Sequence, residues 1–216
     1  MEFDLKTPAA ASQMAGMGVF LMPVGGPPGA VTLMVLDPAP IDADGRFKTI
    51  GQAPDRYMVT LGRGGGGGGR GSNIKSITAN GRDVTNAALE LRDADVNDVV
   101  IKVSDRFASI SGSVHGPDAL PAPTATVMAF PADYRALLSS GLMSGRVQMV
   151  AASRAGAYVL GAVMPGDYLI VAIDDADVAD NQDSAFFDAL ARGATRITVG
   201  DAEKKSQDLA LVKVKR

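Results

Sequence analysis

Asp44-Gly45-Arg46-Phe47 and, a few residues on, Ala53-Pro54-Asp55-Arg56-Tyr57-Met58-Val59 are the residues whose reading decides the fold. They return later as Ala155-Gly156-Ala157-Tyr158 and Met164-Pro165-Gly166-Asp167-Tyr168-Leu169-Ile170. At a constant offset of 111, Gly45 falls on Gly156, Phe47 on Tyr158, Pro54 on Pro165 and Tyr57 on Tyr168. Upstream, Val19-Phe20-Leu21-Met22-Pro23 matches Val127-Met128-Ala129-Phe130-Pro131 at an offset of 108, so a three-residue length change separates two collinear blocks. Two blocks in the same order with one small indel mark a duplication.

The repeated block reads as β structure. Asp42-Ala43-Asp44-Gly45 is a turn, because Asp bonds its own backbone and Gly accepts positive φ at low cost. Phe47 and Ile50 then sit on a short strand. Pro54 and Pro165 supply the fixed φ of the next turn. Tyr57–Leu61 and Tyr168–Ala172 follow as strands rich in β-formers. Each Tyr is expected to pack its ring inside and to reach backbone with its hydroxyl.

Between the copies, Asn80-Gly81 within Ser76–Val84 is the strongest hairpin signal. Ala88–Leu91, Asp98–Val103 and Ala108–Val114 are strands with mostly period-two alternation. At the C-terminus, Leu211-Val212-Lys213-Val214-Lys215-Arg216 reads as a half-buried last strand with a solvated face. Two stretches are helical instead. Pro131–Leu138 is a short insertion, and Asp183–Gly193 has an Asp cap and a terminal Gly. In the latter, Phe186, Phe187 and Leu190 are expected to cover one end of a sandwich.

Strands every 8–12 residues with turn punctuation predict an all-β chain. The expected architecture is tandem Ig-like or transthyretin-like antiparallel β-sandwich modules with one or two short helical insertions. The first module is placed at 1–62, a Gly-rich linker at 63–72, a connecting β segment at 73–107 and the second module at 108–216. Eight of the ten residues from Gly62 to Gly71 are Gly. A phosphate-binding loop would need Gly-Lys-Ser or Gly-Lys-Thr opening a helix, whereas Arg70-Gly71-Ser72-Asn73 leads into a strand, so a tether is expected.

Composition excludes several function classes. A net charge of −3 gives no electrostatic reason for nucleic acid or anionic lipid as partner. With no cysteine, a disulfide scaffold, a thiol nucleophile and a Cys-based zinc site are ruled out. With no Trp and 5% aromatic residues, the usual stacking platform for sugars is poorly supplied. No run approaches the roughly 18 apolar residues that span a bilayer. Met1-Glu2-Phe3-Asp4-Leu5-Lys6 lacks the pattern of a signal peptide.

The pattern Asp-Ala-Asp-Gly-Arg-Phe followed by Pro-x-x-Tyr resembles the carboxypeptidase regulatory-like domain, a transthyretin-like sandwich common in bacterial exported proteins. Gly156-Ala157-Tyr158 with Met164-Pro165-Gly166-Asp167-Tyr168 resembles the same pattern. Ile74–Val84 is similar to segments that connect such modules, and Ile110-Ser111-Gly112-Ser113-Val114 to a module's opening strand. The motifs are structural turns, so the resemblance implies a fold and an extracytoplasmic location, with the signal peptide absent from this chain. It also implies partners among other modules of a parent protein or cell-surface proteins, with glycan as an alternative. The departures are two. No Gly-x-Val strand opens the first copy, so a truncated module or a substitute strand from residues 2–6 is expected. Asp55 stands where the pattern prefers Gly.

No catalytic, cofactor-binding or metal residue is assigned, and no cofactor is expected. Asp42-x-Asp44-Gly45 has the start of a calcium loop, but position 53 is Ala and 54 is Pro where a closing Glu would fall. Asp174, Asp175, Asp177 and Asp180 form a denser cluster whose expected role is an acidic loop before the helix. His115 is the single histidine and lacks partners for a triad or a zinc site. Met14, Met17 and Met22 are read as gap-fillers. The expected function is a non-catalytic structural or interaction module. The alternatives are a carbohydrate-binding module and an accessory domain of a peptidase.

Overall fold

The computed structural model describes residues 2–4, 16–24, 38–63, 74–139, 146–178 and 184–214. It is all-β, in two β-sandwich units. Described residues up to Arg106 form the first unit, and those of Phe107–Leu138 and from Arg146 onward form the second.

The first unit contains β1 (Glu2–Asp4), β2 (Met17–Pro23), β3 (Ala39–Pro40), β4 (Asp55–Arg63), β5 (Ile74–Ala79), β6 (Arg82–Asp83), β7 (Leu89–Leu91) and β8 (Val99–Ser104). One sheet runs β3-β2-β4-β7 and the other β1-β8-β5-β6. Both bury their inner faces in one core, where Val19, Val59 and Leu61 meet Ile77, Ile101 and Val103. Most of the stretch expected to connect two modules, 73–107, thus lies within this sandwich: β5, β6 and β8 join β1 in the second sheet, and β7 extends the first. Asn80 and Gly81 carry φ of 50° and 76° at the β5–β6 turn, as the hairpin signal requires. Residues 2–4 do form a strand, parallel to β8.

The second unit contains β9 (Ala108–His115), β10 (Ala125–Pro131), α1 (Tyr134–Ser139), β11 (Gln148–Ala151), β12 (Ala157–Val163), β13 (Gly166–Asp174), α2 (Ser184–Gly193), β14 (Thr195–Val199), β15 (Lys204–Ser206) and β16 (Leu209–Val212). One layer is β11-β10-β13-β14, and the other places β9 between β12 and β15. β16 pairs with β9 at Leu209 and Ala210, then with β13 at Leu211 and Val212, and so stitches the layers together. These last pairings are parallel, so the sheets are mixed rather than wholly antiparallel.

β10 and β13 are buried on both faces, which explains their unbroken apolar runs. Val127, Ala129, Ile170 and Ala172 point into the sandwich core. Met128, Phe130, Val171 and Ile173 point the other way, under Tyr134 of α1 and Phe186, Phe187 and Leu190 of α2. The α2 residues therefore cover an outer sheet face, not one end of the sandwich as expected. Among the described residues, no helix is long and apolar enough to cross a membrane.

The duplication is visible in the hydrogen-bond register. Met17↔Arg63 through Pro23↔Tyr57 in the first unit correspond, pair for pair, to Ala125↔Asp174 through Pro131↔Tyr168 in the second. β7 lies on β4 (Tyr57↔Leu89) as β14 lies on β13 (Tyr168↔Ile197). One expectation fails locally. The strand expected at Phe47–Ile50 reduces to one bridge between Ile41 and Phe47, and Ile50 is 66% exposed. The C-terminal strand ends at Val212, and Val212 and Val214 share the helical layer with Lys213 exposed between them, the alternation that was expected. Lys215 and Arg216 lie outside the described residues.

Candidate functional site

The repeated turn is the first place to look for chemistry. Asp42 Oδ1 accepts the N–H groups of Asp44 (3.0 Å) and Arg46 (2.7 Å), while Gly45, at φ 75°, donates to the Asp42 carbonyl (3.0 Å). In the other copy Ser153 holds the same place. Its Oγ accepts Ala157 N–H (3.2 Å), and Gly156, again at φ 75°, donates to its carbonyl (2.8 Å). A serine performing the task of Asp42 shows what the turn needs: a short side-chain acceptor, not an anionic metal ligand. Tyr57 donates its hydroxyl to the Ala53 carbonyl (2.9 Å). Tyr168 is hydrogen-bonded to the Arg146 side chain. Burial raises its pKa, while the hydrogen-bonded Arg146 side chain opposes that shift.

The acidic cluster is used as a staple. Asp174 Oδ1 accepts Ala176 N–H (3.0 Å), and its Oδ2 accepts the Thr124 hydroxyl (3.1 Å). Asp175 Oδ1 accepts the Thr126 hydroxyl (2.8 Å), fastening a 3-10 turn (Asp175–Asp177) to the start of β10. Among the described residues, no group of three or more His, Asp or Glu could hold a metal ion. Asp180 and Met14 lie outside the described residues, as does the Gly run from Gly64 to Gly71. Gly62 is buried inside β4. Met17 packs on the first core and Met22 is half-buried. His115 ends β9, bridges to Pro121, and its buried Nδ1 has no partner among the described residues.

A groove of about 350 Å³ opens beside the Pro54–Tyr57 turn, lined by Pro54, Asp55, Arg56, Glu90, Leu91, Arg92 and Asp93. Its charges alternate in sign, and Arg92 pairs with Glu90 at 3.0 Å on the open surface. Such an exposed pair contributes about 0–1 kcal/mol and does not organise a ligand by itself.

The densest polar constellation joins the two helices. Tyr134 donates its hydroxyl to Asp188 Oδ1 (2.6 Å), and Arg135 donates Nε and Nη2 to the same oxygen (3.2 and 3.1 Å). Beneath it lie Phe130 and Phe187, their ring centroids 5.1 Å apart and edge-to-face. This latch was not legible in the sequence, because its partners are separated by 53 and 54 residues.

The shifted ionisable groups share a direction. Hydrogen bonds from Tyr134 and Arg135 hold the Asp188 carboxyl below its ordinary range. Those from Thr198 and Arg196 do so for Asp167, and the Gly200 N–H does so for Glu203. Burial raises Tyr134, and pushes Tyr158 up to about 12. Every one of these groups moves away from neutrality, the opposite of the tuning a general acid or base requires.

A pH test of the latch follows. Because the folded-state pKa of Asp188 is depressed, its contribution is present above the unfolded value of about 3.9 and is lost as pH falls through the folded value. The difference in urea midpoint between the native chain and Asp188→Asn is expected to be level from about pH 8 to pH 5 and to shrink below about pH 4. A difference that does not change with pH would rule out the latch as a charged one.

No protein family matches the sequence, and no curated protein matches it. Among solved structures, the minor pilin GBS52 of Streptococcus agalactiae is 10% identical, with 90% of this chain and 82% of that one covered and a TM-score of 0.38. BcpA, the major pilin subunit of Bacillus cereus, is 8% identical over 76% of this chain, with a TM-score of 0.33, and this chain spans 39% of it. A putative carbohydrate binding protein of Pseudomonas aeruginosa is 12% identical over 48% of this chain and 88% of that one, with a TM-score of 0.31. No assignment follows from likenesses this faint.

Proposed function

We propose that the chain is a non-catalytic structural or interaction part of a larger bacterial cell-envelope or secreted protein. On this reading it comprises two carboxypeptidase regulatory-like, transthyretin-like modules, the first reaching to Arg106 and the second starting at Phe107. The observation that carries the reading is the repeat itself. The residues held in common (Gly45 and Gly156, Pro54 and Pro165, Tyr57 and Tyr168) are used for turns and core, and the strand pairs β2–β4 and β10–β13 keep one register. What is duplicated is scaffold. The direction of the ionisable shifts supports the same conclusion, since none is poised for proton transfer at neutral pH.

The partners proposed are other modules of the parent protein or other cell-surface proteins, and the location is extracytoplasmic. A sugar platform is disfavoured: among the described residues the strongly exposed large apolar side chains are Ile50, Leu120, Met149 and Val159, none of them aromatic. The test is a glycan array probed with the purified chain, for which background signal only is expected. Specific binding at about micromolar Kd, roughly −8 kcal/mol, would replace this reading with a carbohydrate-binding one. Fractionation of cells expressing the full gene product tests the location, with a cytoplasmic pool as the contrary outcome.

A further inference from the structure

Asn80-Gly81 closes the β5–β6 hairpin, and the chemistry of that pair goes beyond the turn it makes. An asparagine carboxamide is thermolabile, because the backbone nitrogen of the next residue can attack it. That nitrogen must be unengaged, the residue carrying it must not obstruct the approach, and water must reach the product. All three conditions are met at the hairpin. Asn80 and Gly81 are both exposed. Among the described residues, neither the Asn80 carboxamide nor the Gly81 N–H has a hydrogen-bond partner. A Cβ built on Gly81 would meet nothing within 4 Å, so the space around the nitrogen is open. Other sites of the same kind each fail on one count. Gly45 follows Asp44, but its N–H is committed to the Asp42 carbonyl at 3.0 Å. Asn86 is half-buried, and the exposed Asn97 precedes Asp98, whose side chain stands beside the attacking nitrogen.

We propose that Asn80 is a site of spontaneous deamidation in the folded chain, with water as the co-reactant. The Gly81 nitrogen, having given its proton to hydroxide, bonds to Cγ of Asn80. The Cγ–Nδ2 bond breaks and the amide nitrogen leaves as ammonia. Water then opens the five-membered imide at one of its two carbonyls. Attack at Cγ leaves an ordinary aspartate. Attack at the main-chain carbonyl leaves isoaspartate, in which the chain runs through Cβ. The balance is a carboxamide and water giving a carboxylate and ammonium, with no change of oxidation state.

The isomerised product does not fit the turn. The loop has two residues and holds positive φ at both, 50° and 76°, and isoaspartate lengthens it by one backbone atom. β6 has little to resist that change, since it is two exposed residues paired as Thr78↔Asp83 and Ala79↔Arg82. The bond from Val84 N–H to the Ile77 carbonyl (2.9 Å) follows directly and loosens with it. β5 itself stays in place, because β8 holds its other side from Ile74↔Val103 to Ala79↔Val99. The inference goes beyond the role proposed above and does not depend on it, since it rests on the reactivity of one dipeptide.

The test is ageing of the full folded chain at mildly alkaline pH, followed by peptide mapping in a mass spectrometer. The replacement of –NH2 by –OH is expected first in the peptide that contains Asn80, and an isoaspartyl methyltransferase should label that same peptide. The rate should rise severalfold per pH unit, as the ionised fraction of a weak acid far below its pKa does. In the isoaspartyl fraction, hydrogen exchange at residues 82–84 should be faster and that at 99–104 unchanged. Asn80→Gly keeps a residue that tolerates positive φ and removes the carboxamide, so it should show neither the mass change nor the faster exchange. Asn80 that stays intact in the folded chain overturns the proposal, whether or not it converts in guanidinium chloride. Conversion at Asp44 or Asn97 ahead of Asn80 overturns it as well. Unchanged exchange at 82–84 in the isoaspartyl fraction overturns the assigned consequence.

Discussion

Phe187→Ala is expected to destabilise the second unit by about 3–5 kcal/mol, the range for truncating a fully buried aromatic residue. Phe187 is 0% exposed. Its ring stands edge-to-face on Phe130 at 5.1 Å and on Phe186 at 5.8 Å, and is stacked with Tyr134 at 6.3 Å. The substitution removes the apolar area of the ring and leaves a cavity between α2 and the sheet. The surrounding groups cannot close that cavity, because Met128, Val171 and Ile173 are held in strands by the sandwich core on their other side. Denaturant midpoints at constant m-value measure the loss. Hydrogen exchange in residues 125–131 and 166–174 localises it. A loss below about 1 kcal/mol would mean that the helical layer is peripheral to stability, contrary to the packing.

The second large effect is expected at Gly112. A Cβ built there would lie 2.0 Å from the carbonyl oxygen of Gln207 and 2.6 Å from its carbon. Both are backbone atoms of the crossing between β15 and β16, which stays beside β9 through the Gln207 N–H to the Ser111 carbonyl. No rotamer change relieves such a contact, so Gly112→Ala must shift a strand, and a cost of about 3 kcal/mol is expected, at the upper end for overpacking. The Tyr158 hydroxyl donates to that same Gln207 carbonyl at 2.6 Å, so the shift also strains a buried hydrogen bond. The control is a glycine of the partner strand. A Cβ on Gly161 meets nothing within 4 Å, so Gly161→Ala is expected to change stability by no more than about 0.5 kcal/mol. Equal effects at the two glycines would show that the β15–β16 crossing is not the constraint.

The contrast between Gly112 and Gly161 separates what can be read along the chain from what cannot. Both are glycines in strands, one between serines and the other between Leu160 and Ala162, and neither setting says what a Cβ would meet. The backbone that crowds Gly112 belongs to a residue 95 positions away, and Ser113 is tied to that same neighbourhood by Asp208 at a separation of 95. The latch of Tyr134, Arg135 and Asp188 was hidden in the same way. So was the role of β5, β6 and β8 in a second layer: alternation shows that each strand has a buried face but does not name the face it is buried against. The Phe47–Ile50 expectation failed for a related reason. Its β propensity was sound, but a strand exists only when a neighbour takes up its hydrogen bonds, and among the described residues none does.

By itself, then, the sequence determined the duplication, the turns at Gly45, Gly156 and Asn80-Gly81, the strands through Tyr57 and Tyr168 and the amphipathic α2. All of these rest on local conformational preference or on a period set by the backbone. Only the tertiary structure decided which layers share a core, which face α2 covers and where β16 crosses between sheets. Those outcomes depend on contacts between residues far apart in the chain, whose partners follow from closure of the sheets rather than from any local rule.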